Sequence, residues 1–415
     1  EGDAKRGDAR GGTADAARTI LSVIAGSLIT VISIAISLTI VALVQASAQW
    51  TPRILRQFTA SRVNQVVLGA YAATFIYALL VLRAVRSAEQ SESGAPTQQA
   101  FVPALSVSVA IGLALICVGL LIFFIHHIAQ SLQVARILDR VRREFVSQLD
   151  HLYPLGIGQS APDPPSATAI RAEHGHSEPP QVICSEHAGF VRSIDAESLL
   201  EAVQPPITWL WVRPQIGDFI TYGSILAEYT GGAGADDELA ASIRSACILE
   251  PERTTTQDLL FAIRQIVDIA LRALSPGIND MTTAEHALWQ LGDMVGRLGT
   301  RPFPASERRA AAGQVILLLS RPTWDAFVVA AFDQIRHASE QDIHVTHTLL
   351  AVLADLAPRL PLGPRRAAVS RQVAAVRYAL TQASWSPADA AELQAHIEAV
   401  ERALTESHPG FQQKV

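Results

Sequence analysis

Five small or hydroxyl-bearing residues, Ser22, Gly26, Thr30, Ser33 and Ser37, recur at steps of three and four within residues 19–52, a stretch that carries no charged side chain. At 100° per residue of helix they fall within roughly a quarter-turn of one another, and Ser47 continues the line. Two kinds of chemistry suit such a stripe. Small residues let membrane helices approach closely, and hydroxyls bond across the interface. A continuous row of hydroxyls also suits the wall of a water-filled path in an oligomer. Helix packing is the simpler reading of the stripe alone, and both stay open.

Three further groups could do chemistry. His126 and His127 stand at the end of an apolar stretch. An ionisable group at membrane depth is a functional candidate, and histidine titrates near neutral pH. Neighbours on a helix point about 100° apart, so the two make a poor metal pair, and interfacial placement accounts for them equally well. Arg264, Asp268 and Arg272 follow i, i+4 steps, with Asn279 and Asp280 in the loop beyond. That set could hold an anionic ligand or a neighbouring subunit, or form a solvated ladder of ion pairs. In the same loop Pro276 and Gly277 end one helix. Asp280 or Thr282 can cap the next, and Thr282 with Glu285 has capping-box spacing. Lastly, His344 and His347 are three apart, with His337 and Asp342 nearby. No fixed-spacing zinc motif such as HExxH accompanies them.

Several chemistries are excluded. The chain has two lysines, Lys5 and Lys414, which removes a P-loop and a Schiff-base lysine. The stretch Gly217–Gly223 resembles the turns of lipoyl- and biotinyl-type barrels, but no lysine is there to be modified. There is no GxSxG, HExxH or GxGxxG. The net charge of −6 argues against nucleic acid as a partner. Cys117, Cys184 and Cys247 have no CxxC spacing and suit a reduced setting. No catalytic residue, metal or cofactor is assigned, and no enzyme is expected.

The elements that must position these residues begin with membrane spans. A mean hydropathy of +0.24 with 17% charged residues is high for a soluble chain. The apolar excess lies in three stretches, about 18–49, 63–85 and 101–130, each long enough to cross a bilayer. The third is expected to continue as one helix, since Leu132, Ala135, Leu138 and Val141 keep an apolar side. Arg53, Arg56 and Arg62 on one side, and Arg136, Arg140, Arg142 and Arg143 after the third span, put those regions in the cytoplasm. Residue 1 then lies outside, and a cytoplasmic N-terminus would need a further span upstream.

The expected fold is mainly α: a multi-span helical membrane domain, a small β-rich module and an α-helical cytosolic domain. Residues 1–17 form an extracytoplasmic segment read as loop, 18–150 the transmembrane domain, and 151–180 a Pro- and Gly-rich linker. Residues 181–232 form the β-rich module and 236–415 the helical domain. Strands are expected at Phe190-Val191, Ile207–Val212, Phe219-Ile220 and Ile225–Tyr229. Helices are expected at about 236–249, 256–274, 281–298, 322–338, 341–358, 365–382 and 387–406. A further strand is expected at Gln314–Ser320.

Several texts resemble one family of bacterial membrane proteins, the domain of unknown function 2254. They are Gly26-Ser27-Leu28-Ile29-Thr30, Ala48-Gln49-Trp50-Thr51-Pro52-Arg53, Asn64-Gln65-Val66-Val67-Leu68-Gly69 and Phe124-Ile125-His126-His127-Ile128. The most specific is Arg272-Ala273-Leu274-Ser275-Pro276-Gly277-Ile278-Asn279-Asp280, after which the family usually has Pro and this chain has Met281. The resemblance covers nearly the whole chain and implies a multi-pass protein of the bacterial cell membrane, with no assigned activity. The functional expectation is an oligomeric channel or transport protein with a cytosolic regulatory domain. Its order of spans, β module and α domain is analogous in layout to small mechanosensitive channels. The alternative is a membrane-anchored scaffold or ligand sensor without conductance. The expected partners are membrane lipids and further copies of the chain; the ligand or ion is not specified by the sequence.

Overall fold

The structure is a computed structural model describing residues 2–49, 62–85, 103–131, 133–153, 180–203, 207–231, 237–255, 257–309, 316–382 and 385–406, with the backbone alone for 2–14, 46–49, 131 and 309. The chain divides into two compact units, Glu1–Arg136 and Ile137–Val415.

The first unit contains α1 (Gly2–Gln49), α2 (Arg62–Ala84) and α3 (Ala104–Ser131). Each includes a segment long and apolar enough to cross a membrane: Asp15–Gln45, Arg62–Ala84 and Ala104–Gln130. Residues 2–17, expected as loop, are helical in the backbone and continue α1. Alanine is the best helix former, and five of these residues are alanine, with no proline among them.

Ala17, Leu21, Ala25, Leu28, Ala35 and Ala42 form the buried face of α1, packed with Val67, Tyr71, Ala78 and Val81 of α2 and Ala110, Cys117 and Phe124 of α3. Alanine at four of those six α1 positions lets the neighbouring helices come close. The Tyr71 hydroxyl donates to the Cys117 carbonyl at 2.5 Å, and the Cys117 thiol donates to Thr74 Oγ1 at 3.5 Å. These polar atoms, out of reach of water, are thereby satisfied within the bundle.

The third span does not run on as one helix. α3 ends at Ser131 and α4 (Val134–Leu152) is a separate element. The Gln133 N–H donates to Gln130 O at 3.2 Å and the Arg136 N–H to Gln133 O at 3.0 Å, so i→i−3 bonds interrupt the α-helical ladder. Along α4, Ile137, Leu138, Val141, Phe145 and Leu149 are buried on one face.

The second unit continues with β1 (Gln181–Cys184), β2 (Gly189–Ile194), α5 (Ala196–Ala202), β3 (Trp209–Val212), β4 (Phe219–Ile220), β5 (Ile225–Thr230), α6 (Asp237–Ala246) and β6 (Cys247–Glu250). Then come α7 (Leu259–Ala273), α8 (Met281–Gly299), β7 (Glu307–Arg309), β8 (Ile316–Leu319), α9 (Trp324–Ala338), α10 (Ile343–Leu356), α11 (Pro364–Gln382) and α12 (Pro387–Thr405). One sheet has the order β1-β5-β3-β8-β7 and the other β4-β2-β6.

Two expectations change here. The helix expected over 236–249 stops at Ala246, and Cys247–Glu250 pairs with β2, Leu249 opposite Val191. The apolar Cys-Ile-Leu run satisfies its backbone in a sheet there. The β module is also not closed on itself. β8 runs parallel to β3, with Leu210 opposite Leu317, so a strand from the expected helical domain enters the larger sheet. An unbroken apolar run, Ile-Leu-Leu-Leu, suits an interior parallel strand. Leu210, Val212, Leu226, Leu317 and Leu319 share a core with Ile243 of α6.

Gly217 and Gly223 take φ of +90° and +78°, the left-handed turns that join β3, β4 and β5. On α8, Gly292, Gly296 and Gly299 face Val352, Leu356 and Leu360, and a Cβ at Gly292 would sit 2.6 Å from Val352 Cγ1. α8 and α10 therefore cross at a distance only glycine permits. Met281, where the resembling family has proline, is the first residue of α8, a position that accepts either.

Candidate functional site

Ser22, Gly26, Thr30, Ser33 and Ser37 are all exposed among the described residues. At 100° per residue the centre of the stripe lies about 160° from the centre of the buried face of α1. The stripe therefore points away from α2 and α3. Ser22 donates to Thr19 O at 2.9 Å, Thr30 to Gly26 O at 3.0 Å and Ser33 to Ile29 O at 2.9 Å. A hydroxyl that donates to its own helix still has lone pairs to offer outward. The side chain of Ser47 lies outside the described residues.

His126 and His127 diverge, as neighbours on a helix must. The His126 ring pairs through Nε2 with the Gln130 side chain one turn on. The His127 ring stacks on Phe123 at 6.0 Å between centroids and 17° between planes.

In the second unit the expected ligand face is largely used by the fold. Arg264 Nε lies 2.9 Å from Asp268 Oδ1 along α7, and Arg272 is exposed. Asp280 is the N-cap of α8: Oδ1 accepts from the Thr283 N–H at 3.1 Å and Oδ2 from the Thr283 hydroxyl at 2.6 Å. The cap thus uses Thr283 rather than the Thr282–Glu285 spacing. Asn279 takes a left-handed φ of +54° and donates its N–H to Ser275 O at 3.0 Å.

The four residues of the His344 group separate. Asp342 caps α10 by accepting from the Val345 N–H at 2.9 Å, and His337 pairs with Glu340 at 2.8 Å. His347 instead faces α12. Its Nε2 is buried and without a hydrogen-bond partner, 3.4 Å from Glu392 Oε1. The His396 ring meets it edge-on at 4.4 Å between centroids. One ligand atom from each of His347, Glu392 and His396 lies within 4.8 Å of the others. Burial holds the His347 imidazole below its ordinary range, His396 adding to this and Glu392 opposing it. Glu392 and His396 escaped the sequence reading; their i, i+4 spacing was the available signal.

A second buried charge sits at the start of α7. Asp258 Oδ2 takes Arg253 Nε at 3.0 Å, while Oδ1 accepts from the Phe261 N–H at 2.9 Å as N-cap. Burial pushes its carboxyl up, although Arg253 pulls it down.

Residues 2–355 match the family described as predicted membrane protein, domain of unknown function 2254. The chain belongs to this family. It is 32% identical over 372 residues to an uncharacterized protein of Mycobacterium tuberculosis and, at the same identity, to one of Mycobacterium bovis. Each alignment covers 88% of this chain and 68% of the relative. No solved structure matches the chain. It is thus a predicted membrane protein with, among the described residues, three apolar helices of spanning length. The α1 stripe, the histidine pair, the α7–α8 loop and His347 fall inside the matched region, whereas Glu392 and His396 lie beyond it.

Proposed function

We propose that the chain is one subunit of a homo-oligomeric channel or transport protein of the bacterial cell membrane. In this reading the α1 stripe faces its own copies around an axis, and residues 137–415 form a cytoplasmic regulatory domain. The observation that carries it is the stripe's placement, opposite the face that α1 buries against α2 and α3. From Ser22 to Ser37 the stripe extends about 23 Å along the helix, most of a hydrocarbon core of about 30 Å. Burying hydroxyls and glycine against lipid gains nothing, whereas a sister helix or water uses them. The arginines flanking the spans support the cytoplasmic orientation. α4 follows the third span in sequence and packs its apolar face within the second unit, so it is the segment through which that unit would act. No catalytic residue is proposed.

A membrane-anchored sensor without conductance is the second reading, favoured by the His347–Glu392–His396 cluster. Reconstitution into liposomes separates the two. Ion flux that responds to pH or tension supports the channel, and absence of flux across both supports the sensor.

A further inference from the structure

We propose that His347, Glu392 and His396 bind one divalent transition-metal cation of the zinc class, fastening α12 to α10. This goes beyond the channel reading and does not depend on it.

The donor set and its geometry carry the proposal. Two imidazoles and a carboxylate are the nitrogen and oxygen ligands that zinc, cobalt and nickel favour. Two ligands bonded to zinc at about 2.05 Å in a tetrahedron are about 3.3 Å apart. His347 Nε2 and Glu392 Oε1 are 3.4 Å apart. They lie in range to share a cation, while Nε2 makes no hydrogen bond.

The second ring is already oriented. His396 Nδ1 lies 3.1 Å from Glu392 O, one turn back on its own helix. With the proton on Nδ1 donated to that carbonyl, Nε2 is left as the lone-pair donor, the arrangement common to metal-bound histidine. Glu392 and His396 are four apart on α12, so they share a face. His344 and Asp389 act electrostatically on His347 as well, and stand one turn back on the same two helices. With three protein ligands, water or one of those two completes four-coordination.

Cobalt(II) is the probe. The full chain, prepared in detergent without a polyhistidine tag and stripped with a chelator, is titrated with cobalt(II) and then zinc(II). We expect one equivalent of cobalt per chain, with the ligand-field absorption of a four-coordinate site, displaced by zinc. His396→Ala changes an exposed side chain and should weaken cobalt binding at least tenfold, as should Glu392→Gln. His337→Ala, outside the cluster, should bind as the wild type does. Zinc should raise the melting temperature of the wild type and leave that of His396→Ala unmoved. Equal uptake by wild type and His396→Ala, or a wild type that binds no cobalt above the background of its other histidines, would overturn the proposal.

Discussion

Arg142 on α4 donates to Asp293 on α8 at 3.2 Å, and the same oxygen of Asp293 accepts from Arg297 Nε at 2.9 Å. Arg142 also reaches Asp139 at 2.8 Å, and farther along α4 Asp150 takes Arg301 at 2.6 Å. The helix that follows the third span is thus held in the second unit by polar contacts along its length as well as by its apolar face. Asp293→Ala leaves two arginines short of an acceptor and should lower stability by about 1 kcal/mol. Phe145→Ala removes a fully buried ring from the same helix and should cost about 3–5 kcal/mol. Thermal unfolding of the two variants in detergent checks the ranking; equal losses would mean that the apolar face is not what seats α4.

Acid should weaken the same helix. The Arg142 hydrogen bond, helped by the charges of Arg143 and Arg142, holds the Asp139 carboxyl below its ordinary range. A carboxylate whose folded pKa lies below its unfolded value stabilises the fold above that unfolded value, about 4. The contribution is lost as pH falls through the lower, folded value. The wild type should therefore melt above Asp139→Asn at pH 7, and the gap should close as pH drops below about 4. A gap independent of pH would show that the carboxylate charge is not its source.

The α8–α10 crossing makes a third case. Gly292→Ala drives a methyl group into Val352 Cγ1, and overpacking of this kind costs about 1–3 kcal/mol. Val352→Ala in the same chain opens the space. The double variant should be more stable than the sum of the single losses predicts, with a coupling of about 1 kcal/mol or more. Additive losses would show that the two residues do not compete for that space.

How far the sequence disclosed this molecule follows from the range of each signal. The spans were legible because absence of charge over twenty or more residues is a local property. Helices α7 to α12 were legible because an apolar period is also local, as is the capping signal of Asp280 before α8. Cys247–Glu250 was misread because four residues carry too little period to tell a strand from a helix end. The parallel pairing of Leu210 with Leu317 depends on chain a hundred residues away, which no window contains. His347 was singled out with neighbours of its own segment, but its partners come from α12. The stripe on α1 was visible from spacing; that it points away from α2 and α3 required the packing of Ala25, Leu28 and Ala35.

Gly217 tests the link between the β4 turn and the start of α7. A Cβ there would press on both Arg253 and Asp258, and the φ of +90° is itself unfavourable for any side chain. Gly217→Ala should cost about 1–3 kcal/mol. If the clash adds to the backbone term, the losses from Gly217→Ala and Asp258→Ala should be less than additive when the two are combined, since Asp258 also caps α7 and pairs with Arg253. A Gly217→Ala variant as stable as the wild type would contradict this account of the turn.

The most direct measurement concerns Ser33. Chains carrying Ser33→Cys or Ile34→Cys, reconstituted into liposomes, are exposed to a charged, water-soluble thiol reagent while ion flux is recorded. The two positions differ by 100° around α1, and both are exposed in the subunit. Cys117 and Cys247 are buried and Cys184 is half-buried, so the wild type treated with the same reagent supplies the baseline. If the stripe lines a water-filled path, the reagent should reduce flux through Ser33→Cys and leave Ile34→Cys and the wild type unchanged. Absence of flux in the wild type, or an equal effect at both positions, would contradict a channel built around the α1 stripe.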